Sequence, residues 1–208
     1  MVASELRLRC VKIMGKKSTK EKKIQRRNRV FAKREKKRAA NLELVQKILL
    51  YDAPELHLPS TELTKDDDME FIKTLMDVLC ATSNGVGMAA CQIGVNKRVC
   101  ALRINTKLNV VKLLINPEII EKSSDKFTTG EEGCLSFPGI VSEIQRPYSI
   151  KVKYLDENFE EHVEDVEGFA SKVVQHEIDH MDGKCVIGEI YLKQRQSSEE
   201  SLVEETTE

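Results

Sequence analysis

The stretch Val173–Gly183 reads VVQHEIDHMDG, and it constrains the fold of this chain more than any other stretch. On a helix, which turns by about 100° per residue, His176 and His180 lie one turn apart on the same side, so their imidazoles can converge on one ion. Glu177 is rotated away from both histidines and can reach a molecule bound to that ion without binding the ion itself. The opposite side carries an apolar stripe formed by Val174, Ile178 and Met181. The H-E-x-x-H pattern therefore predicts a helix that forms one wall of a metal site.

A solvated helix face with two accidental histidines is the alternative. The chain has only four histidines, and two of them stand at ligand spacing here, which favours the metal site. A catalytic site of this kind needs a third protein ligand. The extended zinc-protease pattern would place a histidine where this chain has Val186. Cys185 would have to fold back directly after the helix, so an upstream residue is the better candidate.

The stretch EEGCLSFPG, residues 131–139, offers Cys134 as the third ligand. Gly133 lets the backbone approach closely, and Pro138 with Gly139 predicts a turn just afterwards. A thiolate and two imidazoles would form a three-residue metal site that leaves a fourth position for water. The alternative for Cys134 is a buried apolar residue, since free cysteines are commonly buried.

The stretch NGVGMAACQIG, residues 84–94, combines three glycines with Gln92. A phosphate-binding loop is not indicated, because no Lys-Ser or Lys-Thr pair follows the glycines. The glycines instead expose backbone N–H and C=O groups with which an extended ligand can pair. Gln92 can donate hydrogen bonds from its carboxamide if it faces the site.

The remaining segments predict the fold class. Apolar residues at helical spacing follow three aspartates in DDDMEFIKTLMDVLCATSNG, which predicts a helix ended by Asn84 and Gly85. RVCALRI and NVVKLLI are typical of strands, the second ended by Asn116 and Pro117. YSIKVKYL alternates in the same manner and can pair with residues 159–166. We therefore expect an α+β fold, with antiparallel or mixed strands around a central helix that carries HEIDH.

The first 40 residues are strongly basic. They hold 16 Lys and Arg against three acids and carry a charge of +13, so the remaining 168 residues sum to −14. We expect residues 1–44 to be a basic extension, disordered or helical, residues 45–193 to be the catalytic domain, and residues 194–208 to be an acidic tail. The extension predicts binding to the ribosome or its RNA. A merely solvated tail is the alternative, and an organelle leader fits less well because the segment is lysine-heavy and contains acids.

Location can also be predicted. No run approaches the roughly 18 apolar residues of a membrane span, so we expect no membrane partner. The start lacks the apolar region of a secretory signal, and the six cysteines form no CxxC pair, which favours a reducing compartment. We expect a monomer in a bacterial-type cytosol or in a virus-infected bacterial host.

Taken together and in this order, GVGMAACQ, EGCLSFPG and QHEIDHMDG closely resemble the three motifs of peptide deformylases. Those enzymes remove the N-formyl group from the initiator methionine of new polypeptides. The resemblance covers about residues 46–192 and implies a peptide deformylase-like fold. Asn84 departs from it, because many members carry glutamate before the glycine motif.

The resemblance also implies a role for each matching residue. The metal ligands would be Cys134, His176 and His180. Glu177 would be the general base and acid, while Gln92 and the backbone N–H of Leu135 would hold the developing oxyanion. Contacts to the N-formylmethionyl peptide would come from Val86, Gly87, Gly133 and Val173. The expected ion is Fe²⁺, with Zn²⁺, Ni²⁺ and Co²⁺ as alternatives.

Two other functions remain open from the sequence. A metalloprotease could use the same helix, although the missing third histidine and the cysteine motif argue against it. A ribosome- or RNA-associated binding protein could act through the basic extension. Measuring formate release against internal peptide cleavage would separate the two enzymes.

Overall fold

The computed structural model describes residues 19–105, 108, 110–124 and 126–193. The chain divides into two units, Met1–Ala40 and Asn41–Glu208. A long helix, α1, covers Thr19–Val45, and its residues up to Ala40 are the described part of the first unit. Its sequence is rich in Lys, Arg, Ala and Glu and lacks Gly and Pro, which favours a helix. The predicted acidic tail, residues 194–208, lies outside the described residues.

A five-stranded antiparallel sheet forms the centre of the second unit, in the order β1-β2-β3-β8-β9. Its strands are β1 Gly87–Ala89, β2 Val99–Asn105, β3 Val110–Lys122, β8 Ser149–Leu155 and β9 Glu161–Glu167. Two small sheets are formed by β4 Phe127–Thr128 with β7 Arg146–Pro147, and by β5 Glu131–Cys134 with β6 Phe137–Glu143. Together with the helices below, this architecture confirms the predicted α+β fold.

The predicted hairpin after the cysteine motif is confirmed. In β8 every second side chain is buried, namely Ile150, Val152 and Tyr154. The strand pairs along its whole length with β9, from Ser149 opposite Glu167 to Leu155 opposite Glu161. Alternation of apolar and polar residues is what a sheet with one buried face requires.

The prediction that Asn116 and Pro117 end a strand was wrong, because β3 continues to Lys122. The register towards β8 shifts between Ile115 and Glu118, so the two residues form a bulge rather than a strand end. Proline is tolerated in a sheet at such a point. Asn116 adopts a positive φ of 49°, and its carboxamide both accepts from the N–H and donates to the C=O of Leu63.

Two helices cover opposite faces of the sheet. Helix α2, Glu70–Ala81, packs through Leu75, Val78 and Leu79 on the face that includes Val99 and Ala101. Helix α3, Gly168–Met181, packs through the predicted stripe of Val174, Ile178 and Met181 on the face that includes Cys100 and Leu114. Short 3-10 turns cover Pro54–His57 and Ala90–Ile93, and residues 186–193 are again helical.

Helix α2 ends three residues earlier than the Asn-Gly pair suggested. Thr82 is its cap, with a hydroxyl that donates to the Leu79 carbonyl and accepts from the Gly85 N–H. Side-chain capping by threonine satisfies backbone groups that a helix end leaves unpaired. None of the helices within the described residues is long and apolar enough to span a membrane.

Candidate metal centre

The three predicted ligands meet where β5 reaches helix α3. Cys134 is the last residue of β5, and His176 and His180 lie one turn apart on α3. One ligand atom from each residue lies within 4.8 Å of the other two. The Cys134 Sγ and the His180 Nε2 are 3.2 Å apart, and the two imidazole centroids are 5.0 Å apart.

This donor set fits a divalent transition metal. Two tetrahedral ligands of one ion, a thiolate and an imidazole, are separated by about 3.5 Å, which is close to the observed sulfur–nitrogen distance. Thiolate and imidazole together are the donors that zinc and iron sites use. Cys134 and His180 are buried and His176 is nearly so, which shields the ligands from water. The geometry and the chemistry therefore both support binding of one ion.

A series of interacting charged side chains, most of them buried, orients His176. Its Nδ1 lies 3.0 Å from Glu132 Oε2, so the other ring nitrogen is left for the ion. Arg146 donates to both oxygens of Glu132, at 2.6 and 3.0 Å, and to Asp179 at 2.8 Å. Burial, the largest single effect, would lower the pKa of His176, but the bond to Glu132 and the negative charges of Glu177 and Glu132 together outweigh burial, and the pKa is raised. Glu132 thus fixes the ring orientation of the ligand.

The side chain of His180 is more completely buried than that of His176. Burial, followed by the nearby charges of His176 and Arg146, lowers its pKa to about 3. The ring is therefore neutral near pH 7, which is the form that binds a metal. Its Nδ1 is buried without a hydrogen-bond partner among the described residues.

Cys134 has a second sulfur beside it. A hydrogen bond with Cys185, together with burial, raises the pKa of the Cys134 thiol. Both cysteines belong to an apolar cluster with Ile144 and Ile187. Cys185 does not join Cys134, His176 and His180 in their group of converging ligand atoms. This agrees with the expectation from the sequence, which favoured an upstream residue over Cys185 as the third ligand.

Glu177 lies between the metal ligands and strand β1. Its side chain is only 3% exposed, and its Oε2 has no hydrogen-bond partner among the described residues. Burial raises the pKa of this carboxyl to about 7. A methyl group on Gly87 would lie 2.8 Å from Glu177 Cδ, so the carboxylate occupies space that only glycine leaves free. A buried carboxyl group with a raised pKa and one unpartnered oxygen is typical of groups that transfer protons.

Gln92 is held in a fixed orientation next to the cysteine. Its Oε1 accepts from the Ala89 N–H at 2.9 Å, which turns its amide nitrogen towards the site. That nitrogen donates to Ser136 Oγ at 3.0 Å and lies 3.8 Å from Cys134 Sγ. Leu135, half-buried, follows directly in the chain. The predicted oxyanion donors are therefore adjacent to the ligand cysteine.

Strand β1 presents a backbone edge to this site. It is the outermost strand of the five-stranded sheet. The Val86 carbonyl accepts from the Arg103 N–H of β2. Because neighbouring residues of a strand point their backbone groups to opposite sides, the N–H and C=O of Gly87 face away from β2. The Val86 carbonyl is thus bonded within the sheet, whereas the polar backbone groups of Gly87 point to the free side of β1.

The other two predicted substrate contacts lie on β5 and on helix α3. Gly133 is exposed on β5 and pairs with Val141 of β6. Val173 is half-buried on α3, about one turn before His176, and it packs closely against Gly87. The structure therefore brings all ten predicted site residues into one region around the ends of β1, β5 and helix α3.

Sequence reasoning missed four polar residues that support the site. Glu132 and Ser136 lie inside the quoted EEGCLSFPG, so their position beside a ligand was the available signal. Arg146 and Lys172 are almost fully buried, yet nothing in their local sequence indicates burial. Their role depends on partners that are distant along the chain.

Comparison with known proteins agrees with this geometry. The family model described as polypeptide deformylase matches residues 45–196. A peptide deformylase of Brachyspira hyodysenteriae is 40% identical over 162 residues, which cover 73% of this chain and 85% of that protein. A peptide deformylase of Natranaerobius thermophilus is 39% identical over 140 residues, with coverages of 67% and 88%.

Solved structures show the same relationship. The peptide deformylase of Thermotoga maritima superposes with a TM-score of 0.60 at 38% identity and covers 68% of this chain and 94% of its own. A peptide deformylase of Synechococcus elongatus in complex with actinonin gives a TM-score of 0.60 at 29% identity, with coverages of 65% and 75%. The chain therefore belongs to the polypeptide deformylase family.

Proposed function

We propose that this chain, which as a peptide deformylase removes the N-formyl group from the N-terminal methionine of nascent polypeptides, does so at a metal centre formed by Cys134, His176 and His180. The convergence of these three ligand atoms within 4.8 Å carries the proposal. A divalent ion held there would supply Lewis acidity and would lower the pKa of a bound water to about 7. We expect Fe²⁺ in the cell, with Zn²⁺, Ni²⁺ or Co²⁺ able to replace it.

Glu177 is proposed as the group that moves the proton. It accepts a proton from the attacking water and later passes it to the nitrogen of the leaving amine. Its buried, unpartnered oxygen and its raised pKa suit both transfers near neutral pH. The formyl carbon carries only hydrogen, so a narrow site would reject an acetyl group by shape.

Gln92 and the Leu135 N–H are proposed to stabilise the oxyanion of the tetrahedral intermediate. The Ala89 N–H occupies the Gln92 carbonyl oxygen, and one of the two amide hydrogens of Gln92 donates to Ser136, which leaves the other amide hydrogen for the oxyanion. A donor held in place before the reaction needs no reorganisation as charge develops. The Gln92 amide and the Leu135 N–H flank Cys134.

Peptide binding is proposed to extend the five-stranded sheet. The backbone of Gly87 faces the free side of β1, so an extended substrate can add there as a further strand. Val86 and Val173 would line the pocket for the methionine side chain, and Gly133 would leave room for the substrate backbone. In this arrangement the sheet edge aligns the formyl group with Glu177.

The test of this function is direct. Anaerobically purified protein loaded with Fe²⁺ should release formate from N-formylmethionyl peptides, lose that activity in excess chelator and regain it when metal is returned. Cleavage of internal peptide bonds without formate release would instead support a metalloprotease. A metal-loaded protein that yields neither product would overturn the proposal.

The basic helix α1 supports a second, separate proposal, namely that it tethers the enzyme to ribosomal RNA. All side chains described between positions 22 and 40 are exposed, and they include ten Lys and Arg with Glu35 as the one acid. Closely spaced cations of this kind bind phosphates in a salt-dependent way. Neutralising Arg26, Arg27 and Arg29 to glutamine should weaken binding to purified ribosomes at low salt and leave formate release unchanged. Equal ribosome binding by parent and variant would contradict the tether.

The monomeric state and a bacterial-type cytosolic location remain predictions. Sedimentation analysis of the purified protein tests the first, and fractionation of expressing cells tests the second.

A further inference from the structure

A buried lysine connects the two elements that carry the metal ligands. Lys172 lies on α3 one turn before His176, so it shares the helix face of the ligand histidines. Its side chain is only 8% exposed. The strand β5, which carries Cys134, is separated from α3 by more than thirty residues of chain. Contacts between β5 and α3 must therefore set where the thiol lies relative to the imidazoles.

Within the described part of the chain, the Lys172 ammonium makes polar contacts with one short segment before Cys134 and with no other segment. It donates to the Gly130 carbonyl at 2.6 Å and to the Glu131 carbonyl at 3.3 Å, and it lies 3.9 Å from Glu132 Oε1. Gly130 has a φ of 124°, which a side chain would rarely adopt. The lysine thus binds the backbone of β5 at its start, while Glu132 binds His176 through its side chain.

Because the Lys172 ammonium is buried, it depends on its contacts with residues 130–132. A buried ammonium is unfavourable unless hydrogen-bond acceptors surround it. The acceptors of Lys172 all belong to residues 130–132, so the ammonium is satisfied only when β5 is docked against α3. An apolar side chain of similar length would fill the same volume without that requirement.

We propose that Lys172 is a positioning residue of the metal centre, which fixes the backbone of β5, and with it Cys134, against the helix that carries His176 and His180. This inference rests on the metal centre proposed above. It concerns how firmly the site holds its ion, so metal retention can test it without any measurement of turnover.

The experiment compares Co²⁺-loaded protein with the variants Lys172→Met and Lys172→Arg. Outer residues that orient metal ligands typically contribute about 10- to 100-fold to metal affinity. Lys172→Met should lose Co²⁺ to a chelator about tenfold faster, and its thiolate-to-cobalt absorption band should weaken. Lys172→Arg keeps a cation with several donors and should restore both readouts to within about threefold of the parent.

Lys112→Met is the matched control. Lys112 forms an ion pair with Glu164 at 2.6 Å, between β3 and β9, so this contact involves neither β5 nor α3. Its removal should leave Co²⁺ retention and the absorption band unchanged. If Lys172→Met does not fold, as judged by circular dichroism, Lys172→Gln is measured in its place with the same expectation.

The outcomes separate the two proposals. A parent protein that binds Co²⁺ without a thiolate absorption band would contradict the metal centre itself. A parent with that band, together with a Lys172 variant that retains Co²⁺ as long as the parent does, would overturn the positioning role alone. Equally fast loss of Co²⁺ from Lys112→Met and Lys172→Met would also overturn the positioning role, because the effect would then follow from the removal of either lysine.

Discussion

Replacing Gly87 with alanine should displace the carboxylate of Glu177, the proposed proton-transfer group, and leave the fold almost intact. The new methyl carbon would lie 2.8 Å from Glu177 Cδ, and 2.9 Å from Val173 Cγ1. Ordinary van der Waals contact begins near 3.4 Å, so the carboxylate must move by about 0.6 Å or more. Misplacement of a reacting group by about 1 Å can lower a rate by about 100-fold. We therefore expect kcat to fall between about tenfold and about 100-fold.

The assay measures formate release alongside metal content and thermal stability. Gly87 does not need a positive φ, and the end of a glutamate side chain moves easily, so the melting temperature should change little. The metal content should match that of the parent, because the ligands are not crowded. Gly87→Ala combined with Val173→Ala is the control, since it removes the second contact but not the one to Glu177, and it should stay as slow as Gly87→Ala. Parent-like turnover in Gly87→Ala would refute the close placement of Glu177 against β1.

Three more predictions concern single side chains. Glu177→Ala should keep its metal and lose about 10²- to 10⁴-fold in turnover, because only the proton transfer is removed; an active variant would show that the base is misassigned. Gln92→Met should lower kcat by about 10²- to 10³-fold with little change in metal content, as measured by formate release and elemental analysis. Asp67 has a pKa lowered to about 2, chiefly by its hydrogen bond with Lys97 and then by the Thr64 N–H. Since the folded pKa lies below the unfolded one, this stabilisation is present above about pH 4 and is lost as the pH falls towards 2, so Asp67→Asn should flatten the decline of melting temperature over that range.

The helix that carries the histidines was the most predictable part of the molecule. Its helical spacing alone placed His176 and His180 together and opposite the apolar stripe, and α3 confirms both points. The hairpin of β8 and β9 was equally predictable, because strict alternation leaves one register that buries the apolar side chains. In both cases the determining contacts are local, because they lie within one helix or between two strands that follow each other in the chain.

Features that depend on distant residues could not be predicted in the same way. Asn116 and Pro117 look like a strand end, but the carboxamide of Asn116 bonds to Leu63, more than fifty residues earlier, and stabilises a bulge inside β3. Arg146 looks like an exposed arginine in a loop, yet it is buried between Glu132 and Asp179. Charged residues are buried only where partners exist, and those partners become visible only in the folded chain.

The resemblance to peptide deformylases predicted a role for each site residue. The hydrogen bonds of β1 then show a difference between the neighbouring residues Val86 and Gly87. Both Val86 and Gly87 were expected to pair with the peptide through their backbones. The carbonyl of Val86 is already bonded to Arg103, so Gly87 alone presents its backbone to the free edge. Such a distinction depends on the register of β1 against β2, which three residues of strand do not reveal in sequence.

The measurement that tests the central claim most directly is the metal content of anaerobically purified protein, compared between the parent and Cys134→Ala. The account predicts about one equivalent of a divalent transition metal per chain in the parent and strong loss of that metal in the variant, since one of three converging ligands is removed. Full metal retention in Cys134→Ala, or formate release by a parent protein free of metal, would contradict it.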